Sequence, residues 1–290
     1  MMKLGFIGFG EAASAIAKGL YGEGVRGILA CDAMAHDRVL GPVIAARAEE
    51  THVSLRETAE EVARNADIII SCTQAKYCLD AFHSVKPFLR KGQIYVDVSA
   101  CSPKLMEQAA AEIEETGALF ADVAMMNSVP KHLHKVPMLA CGSGAEAFSG
   151  MMSPYHMDIE VIAKEAGKAS AVKLIRASII KGTGALIFQT LIAAEKYGIG
   201  QQVLESACAT NDSYENFLER VNDTVKAAKH AERKIQELSD CADLIDEVGG
   251  DSAMTRAAAK VMEYVASFHF KEKHAGGVPE DPMDIIREMC

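Results

Sequence analysis

Short apolar runs separated by helix-like stretches fill the first half of the chain. Lys3–Ile7, Gly27–Cys31, Ala66–Thr73, Gln93–Val98, Leu119–Val123, Met138–Cys141 and Met157–Ile162 read as buried strands, ADIIISCT being apolar on both faces as a parallel sheet requires. Between them Glu11–Gly22, Leu55–Asn65 and Tyr77–Phe88 read as helices. Ala12, Ala15, Ile16, Gly19 and Leu20 form the inner face of the first. A further helix starts at Ser102, a cap followed by Pro103. From Gly167 to Tyr197 the period changes, with apolar residues on nearly every face of one long helix. Beyond Tyr197 only helices are expected: Gln201–Thr210, one or two over 213–246, and Asp251–His269 before a short tail. The pattern predicts an α/β chain: a doubly wound sheet domain over 1–165, then an all-α domain over 166–290. The long helix is expected to be covered on all sides, as a buried hinge between the two.

The turn after the first strand carries the first chemistry. Gly8, Gly10 and Ala13 form a GxGxxA pattern that follows a strand and opens a helix. The first glycine permits the tight turn, the second lets a pyrophosphate approach the backbone, and the small third residue lets helix and strand pack closely. Gly8, Phe9, Gly10, Glu11 and Ala12 would surround the phosphates at the positive end of the helix. Asp32 ends the second strand, where a Rossmann-type fold places the carboxylate for the adenosine ribose; it would otherwise cap a loop. A carboxylate there repels a ribose phosphate, so NAD is expected over NADP, with Arg38 close enough to soften the preference. The ends of the later strands form the ligand crevice, and Thr73, Gln74 and Ser99 fall there.

The formal charge of −10 and pI near 5.4 argue against nucleic acid and anionic membrane surfaces as partners. Lys173, Arg176 and Lys181 interrupt the first half of the long helix, which counts against a membrane span. MMKLGFIGFG reads as a buried strand, and the chain as a cytoplasmic protein. The eight cysteines form no CxxC pair and no zinc spacing, so reduced thiols and no metal site are expected. The basic run Lys131, His132, His134, Lys135 lacks a carboxylate or cysteine partner in sequence and reads as a solvated or phosphate-facing loop.

With these residues in place the chain resembles the β-hydroxyacid dehydrogenases, the family of 3-hydroxyisobutyrate and 6-phosphogluconate dehydrogenases. The resemblance rests on GFIGFGEAASAIAKGL, on VDVSACSP followed by GALFADVAMM, and on GKASAVK. It implies that Ser99 contacts substrate and that Lys173 is the catalytic acid/base. Three positions depart from the family pattern. Ala100 stands for a threonine, Met126, Asn127 and Ser128 replace a serine-glycine-glycine loop, and Ala177 stands for an asparagine. Arg176 and Ser178 beside it, with HAER at 230–233, resemble a 6-phosphogluconate dehydrogenase-like branch. The first stretch also resembles pyrroline-5-carboxylate reductase.

The function expected is hydride transfer between a nicotinamide and a small 3-hydroxy acid. Ala169, Val172, Leu174 and Ala177 would bury Lys173 and lower its pKa. Arg176, His230 and Arg233 are candidates for the substrate carboxylate, His230 and Arg233 sharing a helix face at a spacing of three; Asn127 lies in the substrate loop. An imine reductase of the same fold and a non-catalytic dinucleotide sensor or scaffold are the alternatives. The apolar helix suggests a homodimer.

Overall fold

The computed structural model describes residues 2–275 and 277–290. The chain divides into two compact units, Met1–Ala177 and Ser178–Cys290, so that the first turns of the long helix belong with the sheet.

The first unit is built on an eight-stranded sheet in the order β3-β2-β1-β4-β5-β6-β7-β8. Its strands are β1 (Leu4–Ile7), β2 (Leu29–Cys31), β3 (Ser54–Leu55), β4 (Ile68–Ser71), β5 (Ile94–Asp97), β6 (Leu119–Met125), β7 (Met138–Cys141) and β8 (Ile159–Ala163). The crossover helices are α1 (Glu11–Gly22), α2 (Leu40–Glu50), α3 (Ala59–Asn65), α4 (Cys78–Val85) and α5 (Pro103–Glu114); the short α6 (Val129–His132) and α7 (Ala145–Met152) follow. Strands β1 to β6 are parallel, and β7 returns antiparallel to β6 with Asp122 paired to Cys141. The alternation of side chains along each strand splits the core in two. Phe6, Ile68, Ile70 and Val96 pack on one face with Ile16, Leu20 and Phe148; Ile69, Tyr95 and Phe120 pack on the other with Val62, Phe82 and Ile113.

Several local expectations shift. The buried stripe of α1 is Ala13, Ile16, Ala17, Gly19 and Leu20, with Ala12 and Ala15 turned partly outward. Positions three and four apart meet the sheet, and the N-terminal alanines stay at its margin. The helix expected from Leu55 starts only at Ala59, where the Thr58 hydroxyl accepts from the Glu61 N–H as a cap, and Ser54–Leu55 becomes an edge strand. Helices α2 and α7 are not among the expected elements; they bury Gly41, Ile44 and Ala48, and Ala145, Phe148 and Met152.

Helix α8 (Lys168–Tyr197) spans the boundary between the units. In the second unit follow α9 (Gly200–Asp212), α10 (Phe217–Lys226), α11 (Ala231–Glu247), α12 (Ala253–Ala266), α13 (Phe270–Lys273) and α14 (Pro282–Arg287). Gln189 on α8 ties to the start of α12: its side-chain amide donates to Thr255 at 2.5 Å and its carbonyl oxygen accepts from the Met254 N–H at 2.8 Å. The expected burial of α8 is not what the chain achieves. Only 11% of its most apolar window is buried, and Ile175 and Phe188 are each 72% exposed. Apolar residues on every face cannot all be covered by the helices of one chain. By length and composition α8 also passes as a membrane span, but its first turns are bonded into the sheet unit, as described next.

Candidate active site

The strand order reverses between β1 and β4, and the carboxyl ends of β1, β4 and β5 form a crevice there. Gly8 leaves β1 with φ +83°, and a Cβ on it would stand 2.9 Å from the Cys72 carbonyl oxygen, so only glycine turns here without strain. Gly10 is different: no protein atom lies within 4 Å of where its Cβ would be. The protein's own packing does not require a glycine at 10, and the space beside it is open. Gly10 caps α1 without a side-chain hydrogen bond, which leaves the N–H groups of the first turn, at Glu11 and Ala12, directed to the same space. Glu11 is exposed there, and Phe9 is buried beneath the turn.

Asp32 closes the turn from β2. Its carboxylate accepts from the Phe9 N–H at 2.6 Å and from the Met34 N–H at 2.8 Å. On the β4 side the Thr73 hydroxyl is buried with no hydrogen-bond partner among the described residues, while its methyl group lies against the position a Gly8 Cβ would take. Gln74 beside it is exposed. The open cradle at Gly10, the uncapped helix start, the Asp32 carboxylate and the Thr73 hydroxyl fit a dinucleotide.

Ser99 follows β5. Its N–H and its hydroxyl both donate to Asp97 Oδ1, at 2.8 and 2.5 Å. Asp97 is buried, and burial pushes its carboxyl up to about 6, against the two Ser99 hydrogen bonds that favour the charged form. The next residue, Ala100, holds φ +54°, a conformation that side chains other than glycine's seldom adopt, and such strain gathers at functional loops. Beneath the loop the Cys78 and Cys101 thiols meet at 2.7 Å; burial and its neighbour push Cys78 up to about 12.

Two cations, Lys173 and Arg176, stand on the turns of α8 that belong to this unit. Lys173 is half-buried. Burial and Asp97 push the Cys72 thiol, just past β4, up to about 12, and the Lys173 charge acts in the opposite direction. The apolar surround expected for Lys173 is partial: Ala169 is buried, but Val172 and Leu174 are exposed. Arg176 donates from Nη2 to the Met126 carbonyl at 3.0 Å and so grips the loop that carries Asn127. Asn127 is exposed, its amide oxygen accepting from the Ser128 N–H at 2.8 Å.

His230 and Arg233 belong to the second unit. A short 3-10 turn ends at His230 and α11 begins at Ala231, so the two lie across a break rather than on one regular helix face. Arg233 pairs with Glu237 at 3.3 Å.

The basic run 131–135 is not a solvated or phosphate-facing loop throughout. His134 is buried against Gly19 at the far end of α1, and Lys135 pairs with Glu23 at 2.9 Å. Hydrogen bonds from Lys135 and His156 bring Glu23 down to about 2. The carboxylate that sequence spacing hides is supplied just past the end of α1. Among the described residues no group of three or more His, Cys, Asp or Glu is placed to hold a metal.

Fold and crevice together define an NAD(P)-dependent oxidoreductase of the Rossmann class. Comparison with known proteins agrees. Residues 3–101 match the family described as NADP oxidoreductase, coenzyme F420-dependent, and residues 194–265 match a domain of unknown function, DUF1932. A conserved protein of unknown function, described as structurally similar to 3-hydroxyacid dehydrogenases, is 29% identical with a TM-score of 0.61, the match covering 100% of each chain. An imine reductase from Pseudomonas sp. is 16% identical with a TM-score of 0.73, over 100% of this chain and 99% of its own. An uncharacterized 28.5 kDa protein from Methanothermus fervidus is 26% identical over 70% of this chain and 75% of its own. The chain is thus similar to a protein described as resembling 3-hydroxyacid dehydrogenases, and it shares its fold with imine reductases.

Proposed function

We propose that the chain transfers a hydride between NAD(H) and a small 3-hydroxy acid, with Lys173 as the acid/base. One observation supports this reading: the first turns of α8, which carry Lys173, are bonded to Asp122 of β6 and, through Arg176, to the Met126 carbonyl, within the unit whose crevice Gly8, Asp32 and Ser99 line. The bound nicotinamide supplies or accepts the hydride.

Lys173 takes the hydroxyl proton as the carbonyl forms and returns it from the ammonium in reduction. The Ser99 hydroxyl, whose proton points to Asp97, presents its lone pairs outward to a donor on the ligand. Arg176 spends one N–H on Met126 and has further donors for a carboxylate, with Asn127 beside it. In the second unit His230 and Arg233 are the proposed contacts for an anionic group. Asp32 favours the unphosphorylated ribose of NAD. A second copy of the chain is the proposed cover for the exposed apolar residues of α8, since a homodimer buries on each copy what one chain leaves open.

The test is turnover of a panel of small 3-hydroxy acids and of cyclic imines with NAD and NADP. The expected outcome is oxidation of a hydroxy acid, lost by about a hundredfold or more in Lys173→Ala while dinucleotide affinity is kept. Near-normal turnover in that variant removes the acid/base assignment. Activity confined to imines moves the reading to an imine reductase, and dinucleotide binding without any turnover to a sensor.

A further inference from the structure

Asp122 is a fully buried acid in β6 that none of the steps above uses. Its carboxylate is closed on the start of α8. Oδ2 accepts from the Gly167 N–H at 3.0 Å and the Ser170 N–H at 3.1 Å, and Oδ1 accepts from the Ser170 hydroxyl at 2.6 Å. The Cys141 thiol, paired with Asp122 across β6 and β7, donates to it at 3.3 Å and accepts from the Ala169 N–H at 3.2 Å.

A helix normally satisfies its first N–H groups with a cap residue next to them in sequence. Here the acceptor comes from a strand more than forty residues earlier. A buried anion at the positive end of a helix is held both by hydrogen bonds and by the dipole. Gly167 completes the joint: its φ is +89°, and a Cβ on it would run into the Pro103 carbonyl oxygen at the start of α5. Lys173 and Arg176 lie one and two turns beyond Ser170 on this anchored segment.

We propose that Asp122 is a positioning residue for Lys173, fixing the first two turns of α8 against β6, β7 and the Met126 loop. This rests on the reading of Lys173 as the acid/base. Asp122→Asn keeps the side-chain size but replaces one acceptor oxygen by an NH2 that faces N–H donors, so the joint loosens without a cavity.

The experiment is pulse acetylation of the full chain with and without saturating NAD, read by mass spectrometry, alongside NAD affinity. In the wild type, NAD is expected to slow labelling of Lys173 by about fivefold relative to the exposed Lys260, since a covered amine is a poor nucleophile. In Asp122→Asn that protection is lost while NAD affinity stays within about threefold, and Ser170→Ala loses part of it. With a substrate in hand, the same variants lower kcat and leave the KM for NAD unchanged. Full protection in Asp122→Asn at normal NAD affinity overturns the positioning role. If that variant does not fold, Ser170→Ala and Cys141→Ala decide the matter in the same way. Absence of protection in the wild type overturns the acid/base reading itself, a different result, and the positioning role falls with it.

Discussion

Asp97 and Asp122 are register partners on adjacent strands, two buried carboxylates on one rung of the sheet, each closed on a different segment of the crevice. Asp97 holds Ser99, and Asp122 holds the start of α8. Burial is the largest cause of the raised Asp97 pKa, and the Asp122 charge adds to it. The shift, from 3.8 to about 6, has a definite sign in stability. Between these values the folded chain binds more protons at Asp97 than the unfolded chain does. Stability from this group is therefore highest in acid, falls as pH rises from about 4 to about 6, and is level above that, the total being about 3 kcal/mol. Urea unfolding of the wild type and Asp97→Asn across this window is expected to show the wild type losing ground to the variant as pH rises. Parallel curves contradict the assignment.

The two glycines of the first turn separate fold from ligand. Gly8→Ala forces an L side chain into φ +83° against the Cys72 carbonyl, and is expected to cost about 1–3 kcal/mol of stability. Gly10→Ala meets no protein atom and is expected to leave the melting temperature unchanged. On the proposed reading its methyl group would meet the phosphates, so NAD affinity should fall by about tenfold or more. Thermal melts and a NAD titration of both variants check the pair, and a Gly10→Ala protein with normal affinity would falsify the phosphate site.

Asp32, read as the ribose contact, sets a third expectation. Its carboxylate sits between the Phe9 and Met34 N–H groups at the end of β2. NADH is expected to bind more tightly than NADPH, and Asp32→Asn to narrow the ratio by about tenfold, chiefly by improving NADPH. Fluorescence titration of both dinucleotides measures this. A wild type that prefers NADPH shows that the ribose phosphate lies away from Asp32.

The exposed apolar residues of α8 set a fourth expectation. Ile187 is 52% and Phe188 72% exposed. Light scattering without detergent should give twice the mass of one chain, and paired Ile187→Asp and Phe188→Asp substitutions should give a monomer. A wild type that is monomeric at micromolar concentration excludes the second copy as the cover.

Much of this was legible along the chain. The apolar runs marked β1, β2, β4, β5, β6, β7 and β8, because a strand buried on both faces has little choice of residue. Gly8, Gly10 and Asp32 were legible because the tight turn and the carboxylate after β2 are properties of a local strand–helix–strand unit. Tertiary structure decided what depends on residues far apart. Helices α2 and α7 take their stability from packing on the sheet more than from their own period. The run at 131–135 found its carboxylate in Glu23, just past the end of a helix more than a hundred residues earlier. Asp122 read as one more strand residue. Only the pairing of β6 with β7 and the return of the chain at Gly167 turned it into the anchor of α8. Sequence records periodicity and local turns. A buried charge is worth what its partners make it, and those partners are set by the fold.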